Sequence, residues 1–397
     1  MKYRINVKNG DKLSALGYGA MRLPKEKQNK KVIDEKESVR ILRLAYELGV
    51  NYFDTAYVYN DGESERVLGI AVAPFRGKIK LATKLPLRGI KNYEDFDKLF
   101  YTSLKRLGTN YIDYYLIHNI ISFDQYVYIK GLGLDRWIEE KKSKGEIINI
   151  GFSFHGARED FKKIIDSYDW EFCQIQYNYV DVDFQAGAEG LKYAAAKGLP
   201  VIIMEPLRGG ALVNKLPKSA EKLFKEFDSA LSNADWGLKW LYNQPEVTVV
   251  LSGMGSEDMV RANVGAADRF KQNCLSGDEL EVYASVRREI EKAGFIPCTA
   301  CGYCLPCPKG VAIPTCFSCY NSRSLTGYFQ GVGNYVTSVG GLSGNSGFAG
   351  QCVGCGQCER KCPQGIKISE ELKKVKRAYE IPLMKPIIKI VKKIIKL

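Results

Sequence analysis

Short apolar runs alternate with longer amphipathic stretches over residues 1–270. The runs Asn51–Thr55, Ile79–Leu85, Ile112–Ile117, Ile147–Phe152, Phe172–Tyr177, Val201–Met204 and Val247–Ser252 read as strands, and a first strand near Leu13–Leu16 completes eight. Between them, Glu37–Leu48, Phe96–Leu107 and Ala186–Lys197 place apolar residues three and four apart, the spacing of one helix face. Strands separated by helices imply βαβ units and a parallel sheet. Eight such units predict an α/β fold, a TIM (β/α)8 barrel over residues 1–277, since that fold takes about 250 residues. Active sites on it sit at the C-terminal ends of the strands, so polar residues there are the first candidates.

The pattern changes after the barrel. A helical connector is expected over 278–295, a second domain over 296–370 and a basic tail over 371–397. Within the second domain, Gly327–Gly350 is rich in Gly, Ser and Asn and reads as a long loop. The tail sets Ile387, Ile388, Val391, Ile394 and Ile395 on one helical side and Lys389, Lys392, Lys393 and Lys396 largely on the other. Such a pattern suits peripheral contact with an anionic membrane, or a helix packed on protein.

Composition adds little to the picture. The apolar fraction of 45% permits a sizeable core, and the formal net charge is +13. That excess is partly local, with nine Lys or Arg against one Glu in residues 373–397. The body carries no dense basic and aromatic motif, which argues against nucleic-acid binding. Neither a signal-peptide pattern nor an apolar run of membrane-spanning length is evident, so the cytoplasm is the expected location.

Four polar residues stand at or just beyond strand ends: Asp54 after NYF, Tyr59 five residues on, Lys84 closing KLAT, and His118 closing DYYLI. His118 is one of two histidines in the chain. Taken singly, Asp54 suits a turn, Lys84 a solvated charge, and Tyr59, one of 24 tyrosines, ordinary packing. Taken in order, the segments NYFDTAYVYN, KLATKLP, DYYLIHN, IGFSFHG, QIQYN and EPLRGG resemble the aldo-keto reductase family. The resemblance implies an oxidoreductase that reduces a carbonyl or related substrate with NADP(H) or NAD(H), using Asp54, Tyr59, Lys84 and His118 as a catalytic tetrad. Hydride arriving at a carbonyl carbon leaves an alkoxide that must be protonated, and Tyr59 would be the acid. Lys84 would ease loss of the phenolic proton, Asp54 would hold Lys84, and His118 would orient the carbonyl oxygen. His155, in GFSFHG, is either a contact for substrate or nicotinamide amide or a structural histidine.

The resemblance also implies nucleotide contacts at Ser153, Gln174, Ser252, Gly253, Gly255 and Asn263, with glycine-flanked backbone N–H groups at a helix start suiting a phosphate. Here the sequence departs from the family pattern. Phe154 stands where many relatives carry an amide-holding Asn, Met204 where an aromatic often stacks on the nicotinamide, and Met259 where an Arg is usual. Arg208 and Arg261 are the substitute cations, each with an ordinary ion pair as its plain alternative.

Ten of the twelve cysteines fall between Cys298 and Cys362. Cys352, Cys355, Cys358 and Cys362 form C-x2-C-x2-C-x3-C followed by Pro363, the bacterial ferredoxin run. Cys298, Cys301, Cys304 and Cys307 precede Pro308 with one residue fewer before the last cysteine. Two [4Fe–4S] clusters follow, in a smaller α+β ferredoxin-like domain. The fourth cysteine of each run would serve the other cluster, giving Cys298, Cys301, Cys304 and Cys362 against Cys352, Cys355, Cys358 and Cys307. Cys316 and Cys319 are alternatives to Cys307, or else buried thiols, and zinc is the rival metal. The phrases CTACGYCLPCP and IPTCFSCYN resemble an iron–sulfur subgroup of the same family, extending the likeness to about residue 370.

A cluster passes single electrons whereas nicotinamide exchanges hydride, and a flavin can bridge the two. Three functions stay open: nicotinamide-dependent reduction with clusters that relay electrons or sense redox state; reduction fed by a ferredoxin-like electron-transfer partner, with or without flavin; and a non-enzymatic electron carrier or redox-responsive module.

Overall fold

A computed structural model describes residues 1–29, 31–87, 89–326 and 346–380, together with residues 332, 335, 336, 338 and 339. The amphipathic tail and most of the loop read at Gly327–Gly350 lie outside the described residues. The chain divides into two compact units, Met1–Pro206 with Asp235–Leu275, and Leu207–Ala234 with Ser276–Leu397.

The first unit opens with an antiparallel hairpin, β1 (Tyr3–Ile5) and β2 (Lys12–Ser14). Eight parallel strands then close on themselves: β3 (Leu16–Gly19), β4 (Tyr52–Asp54), β5 (Lys80–Pro86), β6 (Ile112–Ile120), β7 (Ile147–Phe154), β8 (Phe172–Gln176), β9 (Val201–Met204) and β10 (Val247–Ser252). Seven of the eight strand readings hold to within a few residues. The first is displaced: Lys12–Ser14 belongs to the hairpin, and the barrel strand begins at Leu16. Ser14 Oγ donates to the Leu16 carbonyl and Asn51 Oδ1 accepts from the Ser14 amide, which breaks the chain direction between the two. Leu13 therefore joins the barrel interior from its N-terminal end rather than from a barrel strand.

Helices α1 (Glu35–Glu47), α2 (Glu63–Val72), α3 (Glu94–Leu107), α4 (Phe123–Gly131), α5 (Leu134–Ser143), α6 (Arg158–Asp166), α7 (Gly187–Ala196), α8 (Ala211–Asn214), α9 (Lys218–Phe227), α10 (Asn233–Tyr242) and α11 (Glu257–Arg269) follow in order, with α8 and α9 in the second unit. Their ends obey local chemistry. Asp34 and Ser256 cap α1 and α11 by accepting from the third amide on, and Gly108, at φ 63°, ends α3 in the left-handed conformation that glycine adopts without strain. Gly69 of α2 brings that helix so close to α3 that a Cβ would sit 2.5 Å from the Leu107 carbonyl oxygen.

Strand periodicity of two decides what fills the barrel. Tyr52, Ala82, Tyr114, Leu116, Phe172, Ile202, Val249 and Leu251 form one buried interior cluster with Leu13. Phe152 and Phe154 point the other way and meet Phe161 of α6 at 5.8 and 5.2 Å.

The second unit contains α8, α9, α12 (Gly277–Lys292), α13 (Ile313–Thr326) and α14 (Ile368–Tyr379). Phe224 and Tyr283 meet edge to face between α9 and α12, at 5.6 Å. A separate core gathers Ile296, Ile313, Phe317, Ile366, Leu372 and Tyr379. Among the described residues of this unit there are helices and turns and no strand, so the α+β part of the expectation finds no sheet here. No helix among the described residues is long and apolar enough to cross a membrane.

Candidate functional site

The inward register that builds the apolar interior continues, two residues further along each strand, into polar side chains. Tyr52 leads to Asp54, Ala82 to Lys84, Leu116 to His118, and Phe172 to Gln174. An alternating strand must present both layers to the same lumen, so these residues meet above the plug at the C-terminal rim.

Lys84 and Asp54 are both buried, and the ammonium donates to Asp54 Oδ1 at 2.6 Å and to the Thr55 carbonyl at 2.6 Å. Gln174 donates to the other Asp54 oxygen at 3.1 Å. Burial raises the Asp54 pKa and lowers that of Lys84, while each partner's charge opposes the shift. Their short contact keeps the ion pair in place, since either charge alone would be expensive there. The Lys84 ammonium lies 5.1 Å from the Tyr59 ring centroid, and the Tyr59 ring meets His118 edge to face at 5.9 Å. Burial holds the His118 imidazole well below its usual value, with Lys84 and His155 adding to the effect. It is therefore neutral near pH 7.

Tyr59 comes from a loop rather than a strand. Its amide donates to the Ala56 carbonyl, and the turn that follows takes Asn60, Asp61 and Gly62 through positive φ. Gly62 is pressed against the Arg106 guanidinium, which donates to the Tyr57 carbonyl at 3.0 Å and to Glu65 at 3.1 Å. Glu65, fully buried on α2, accepts from Thr83 at 2.7 Å. Thr55, Glu65, Thr83 and Arg106 thus brace the ends of β4 and β5. Sequence reasoning missed them because the partners lie far apart in the chain and no spacing marks them.

The residues expected at a nucleotide take the following places. Ser153 is buried, and its Oγ accepts from the Asn119 amide at 2.7 Å. Ser252 and Asn263 are buried together, the Asn263 amide donating to Ser252 Oγ at 3.0 Å. Met204 stands on the inward register of β9. The Arg22 side chain approaches Gly253, placing its Cβ 3.3 Å from where a side chain there would begin. That arginine was not among the expected contacts. Arg261 is exposed and pairs with Glu257 at 2.8 Å, and Glu257 also binds Arg40. Arg208 is buried in the second unit at φ 46°.

In the second unit, Cys298, Cys301, Cys304 and Cys362 line one small cavity, closed further by Ile313, Phe317 and Ile366. Burial pushes the Cys298 thiol up to about 11 and the Cys304 thiol up to about 12, and neighbouring cysteines add to both shifts. Four thiols facing one apolar cavity become thiolates only beside compensating positive charge. The other run is more open: Cys355 is exposed, Cys352 and Cys307 are half-buried, and Cys358 is buried within electrostatic reach of Cys352. Among the described residues no three His, Cys, Asp or Glu side chains close on a single metal ion. Cys316 and Cys319 lie in the core on α13, and Cys316 donates to the Gly347 carbonyl.

Comparison with known proteins agrees with this layout. Residues 15–273 match the model of the aldo/keto reductase family, and residues 297–366 match that of a 4Fe-4S dicluster domain. An uncharacterized oxidoreductase of Bacillus subtilis, YqkF, is 28% identical over 315 residues, which cover 71% of this chain and 95% of that protein. L-galactose dehydrogenase of Arabidopsis thaliana is 28% identical, covering 71% and 93%. Among solved structures, aldo-keto reductase AKR11C1 of Bacillus halodurans superposes with a TM-score of 0.61 at 26% identity, over 72% of this chain and 96% of that one. With its closed eight-stranded barrel and a family match over well more than half its length, the chain belongs to the aldo/keto reductase family of oxidoreductases.

Proposed function

We propose that the barrel reduces a carbonyl or related small molecule with NAD(P)H, and that the second unit holds two [4Fe–4S] clusters. One observation carries the barrel reading: a buried Lys84–Asp54 pair at 2.6 Å with the Tyr59 ring 5.1 Å from the ammonium and His118 beside it. When bound, the nicotinamide supplies hydride. Ser153 and Gln174, on the inward register beside Lys84, are the groups of this chain that fit its amide edge; Ser252, Asn263 and the backbone at Gly253 and Gly255 fit the nucleotide. His118, neutral, donates a hydrogen bond to the substrate oxygen and orients it. Tyr59 gives its proton to that oxygen as negative charge develops. A cation beside a phenol lowers the cost of the phenolate, which is the part Lys84 plays, and Asp54 keeps the ammonium in place. Solved relatives of the same fold include an aldo/keto reductase from Klebsiella pneumoniae in complex with NADP and acetate.

For the clusters, the supporting observation is the single cavity lined by Cys298, Cys301, Cys304 and Cys362, the crossed ligand set that ferredoxin runs use. A cubane occupies a cavity, whereas a lone zinc ion draws its thiolates onto one point about 2.3 Å away. Cys352, Cys355, Cys358 and Cys307 would hold the second cluster.

Anaerobically prepared protein tests both readings. Oxidation of NADPH or NADH with a carbonyl panel, and about eight irons per chain, are the expected results. Absence of nucleotide binding and of turnover in iron-replete protein would overturn the barrel reading. Zinc in place of iron would overturn the cluster reading.

A second reading, single-electron reduction fed by a ferredoxin-like partner, draws on two features. Phe154 packs outward on Phe161 where an amide-holding side chain is common, and Arg261 is engaged in a surface ion pair. A yellow chromophore released on denaturation, without bound nicotinamide, would favour it.

A further inference from the structure

A lysine is tethered beside one cysteine set and a carboxylate is fixed beside the other. Lys215, half-buried just after α8, donates from its ammonium to Ser318 Oγ on α13. Ile313, Pro314 and Phe317 of that helix line the cavity that Cys298, Cys301, Cys304 and Cys362 share. The lysine is therefore tethered to one wall of the first set, through the residue next to the cavity-lining Phe317. At the other set, Glu359 follows Cys358 directly. The Ser369 amide donates to Glu359 Oε1 at 2.7 Å and fixes the carboxylate in place. Arg360 stands beside Gly356 but is exposed, where solvent screens it.

A four-thiolate cubane gains one negative charge on reduction, and nearby fixed charge is among the levers that set its potential. A cation stabilises the reduced form more than the oxidised one; an anion does the reverse. We propose that Lys215 raises the reduction potential of the cluster on Cys298, Cys301, Cys304 and Cys362 above that of the other, so that the first electron entering the chain rests there. The electron comes from a low-potential single-electron donor and takes that cluster from its oxidised to its one-electron-reduced state, with no bond made or broken. The exposed Cys355 marks the second cluster as the side open to such a donor, and Lys215 then makes the onward step to the first cluster downhill. This inference rests on the cluster reading above.

A potentiometric titration with dithionite, followed by electron paramagnetic resonance on the anaerobic full chain, tests it. The wild-type protein shows two separated midpoints. Lys215→Met moves the higher one to a more negative potential and narrows the gap, Lys215→Arg restores it, and Glu359→Gln moves only the lower one, upward. In a Cys355→Ser background, Lys215→Met must shift the signal of the cluster that remains. Unmoved midpoints in Lys215→Met at undiminished iron content overturn the proposal while leaving the clusters intact. An iron content far below eight in the wild type overturns the cluster reading first, and this one with it.

Discussion

Replacing Lys84 by methionine is the sharpest perturbation of the barrel site. Both members of the Lys84–Asp54 pair are almost wholly buried. Removing one partner of such a pair costs about 3–5 kcal/mol, because the other charge is stranded. The Thr55 carbonyl also loses its donor. Asp54, whose pKa burial already raises, loses the cation that opposed the rise and moves up further. Its folded pKa then lies above its unfolded one, so the folded chain binds a proton that the unfolded chain releases. Stability is fully present below the unfolded value and is lost as pH rises toward the folded one, by about 1.4 kcal/mol per pH unit. Lys84→Met is therefore expected to be weaker at pH 7.5 than at pH 5.5, beyond any change in the wild type. Adding Asp54→Asn should recover about 1–3 kcal/mol and flatten the pH dependence. Denaturant unfolding followed by tryptophan fluorescence reads this directly, because Trp137, Trp170, Trp236 and Trp240 are the only tryptophans and all are buried in the barrel unit. If the double variant is no more stable than Lys84→Met, and neither responds to pH, the pair is not coupled and the argument for a held cation fails.

Tyr59→Phe should lower kcat by about 10²–10⁴ while leaving nucleotide affinity unchanged, measured by turnover and by nucleotide fluorescence; retained turnover would remove Tyr59 as the proton donor. Because burial keeps His118 neutral through the physiological range, kcat/KM should show no limb near pH 6.5. A limb there that His118→Gln abolishes would contradict the neutral imidazole. Gly69→Ala should destabilise the barrel by about 1–3 kcal/mol, because the new methyl would press on the Leu107 carbonyl at 2.5 Å, and an unchanged unfolding midpoint would show that α2 and α3 can part without cost.

The misplaced first strand shows where periodicity runs out. Leu13 and Leu16 are both buried and read as one apolar run, yet Leu13 enters the barrel interior from the hairpin, whereas Leu16 lies on a barrel strand whose Gly17 is the residue that faces that interior. Where they part, the Ser14 hydroxyl donates to the Leu16 carbonyl and its amide to the distant Asn51. The charged side chains near the segment after β10 show the same limit. Arg261 sits on a helix at a plausible distance along the chain, but its orientation was settled by Glu257 four residues before it and by Arg40 beyond. Arg22, which does approach Gly253, lies more than two hundred residues away in sequence.

By itself the sequence determined the alternation of strand and helix, the order of the four polar strand-end residues, and the two cysteine runs. These are local facts, written in spacings of two, three and four residues. Tertiary structure alone decided that Asp54, Lys84, His118 and Gln174 face one lumen, because strand register and barrel closure set which parity turns inward. It also decided that the loop carrying Tyr59 folds back over them, and that Lys215 is bonded to a helix lining the cysteine cavity. The partners of Lys84 and Lys215 leave no period in the chain; they are chosen only when segments far apart in sequence are brought within a few ångströms.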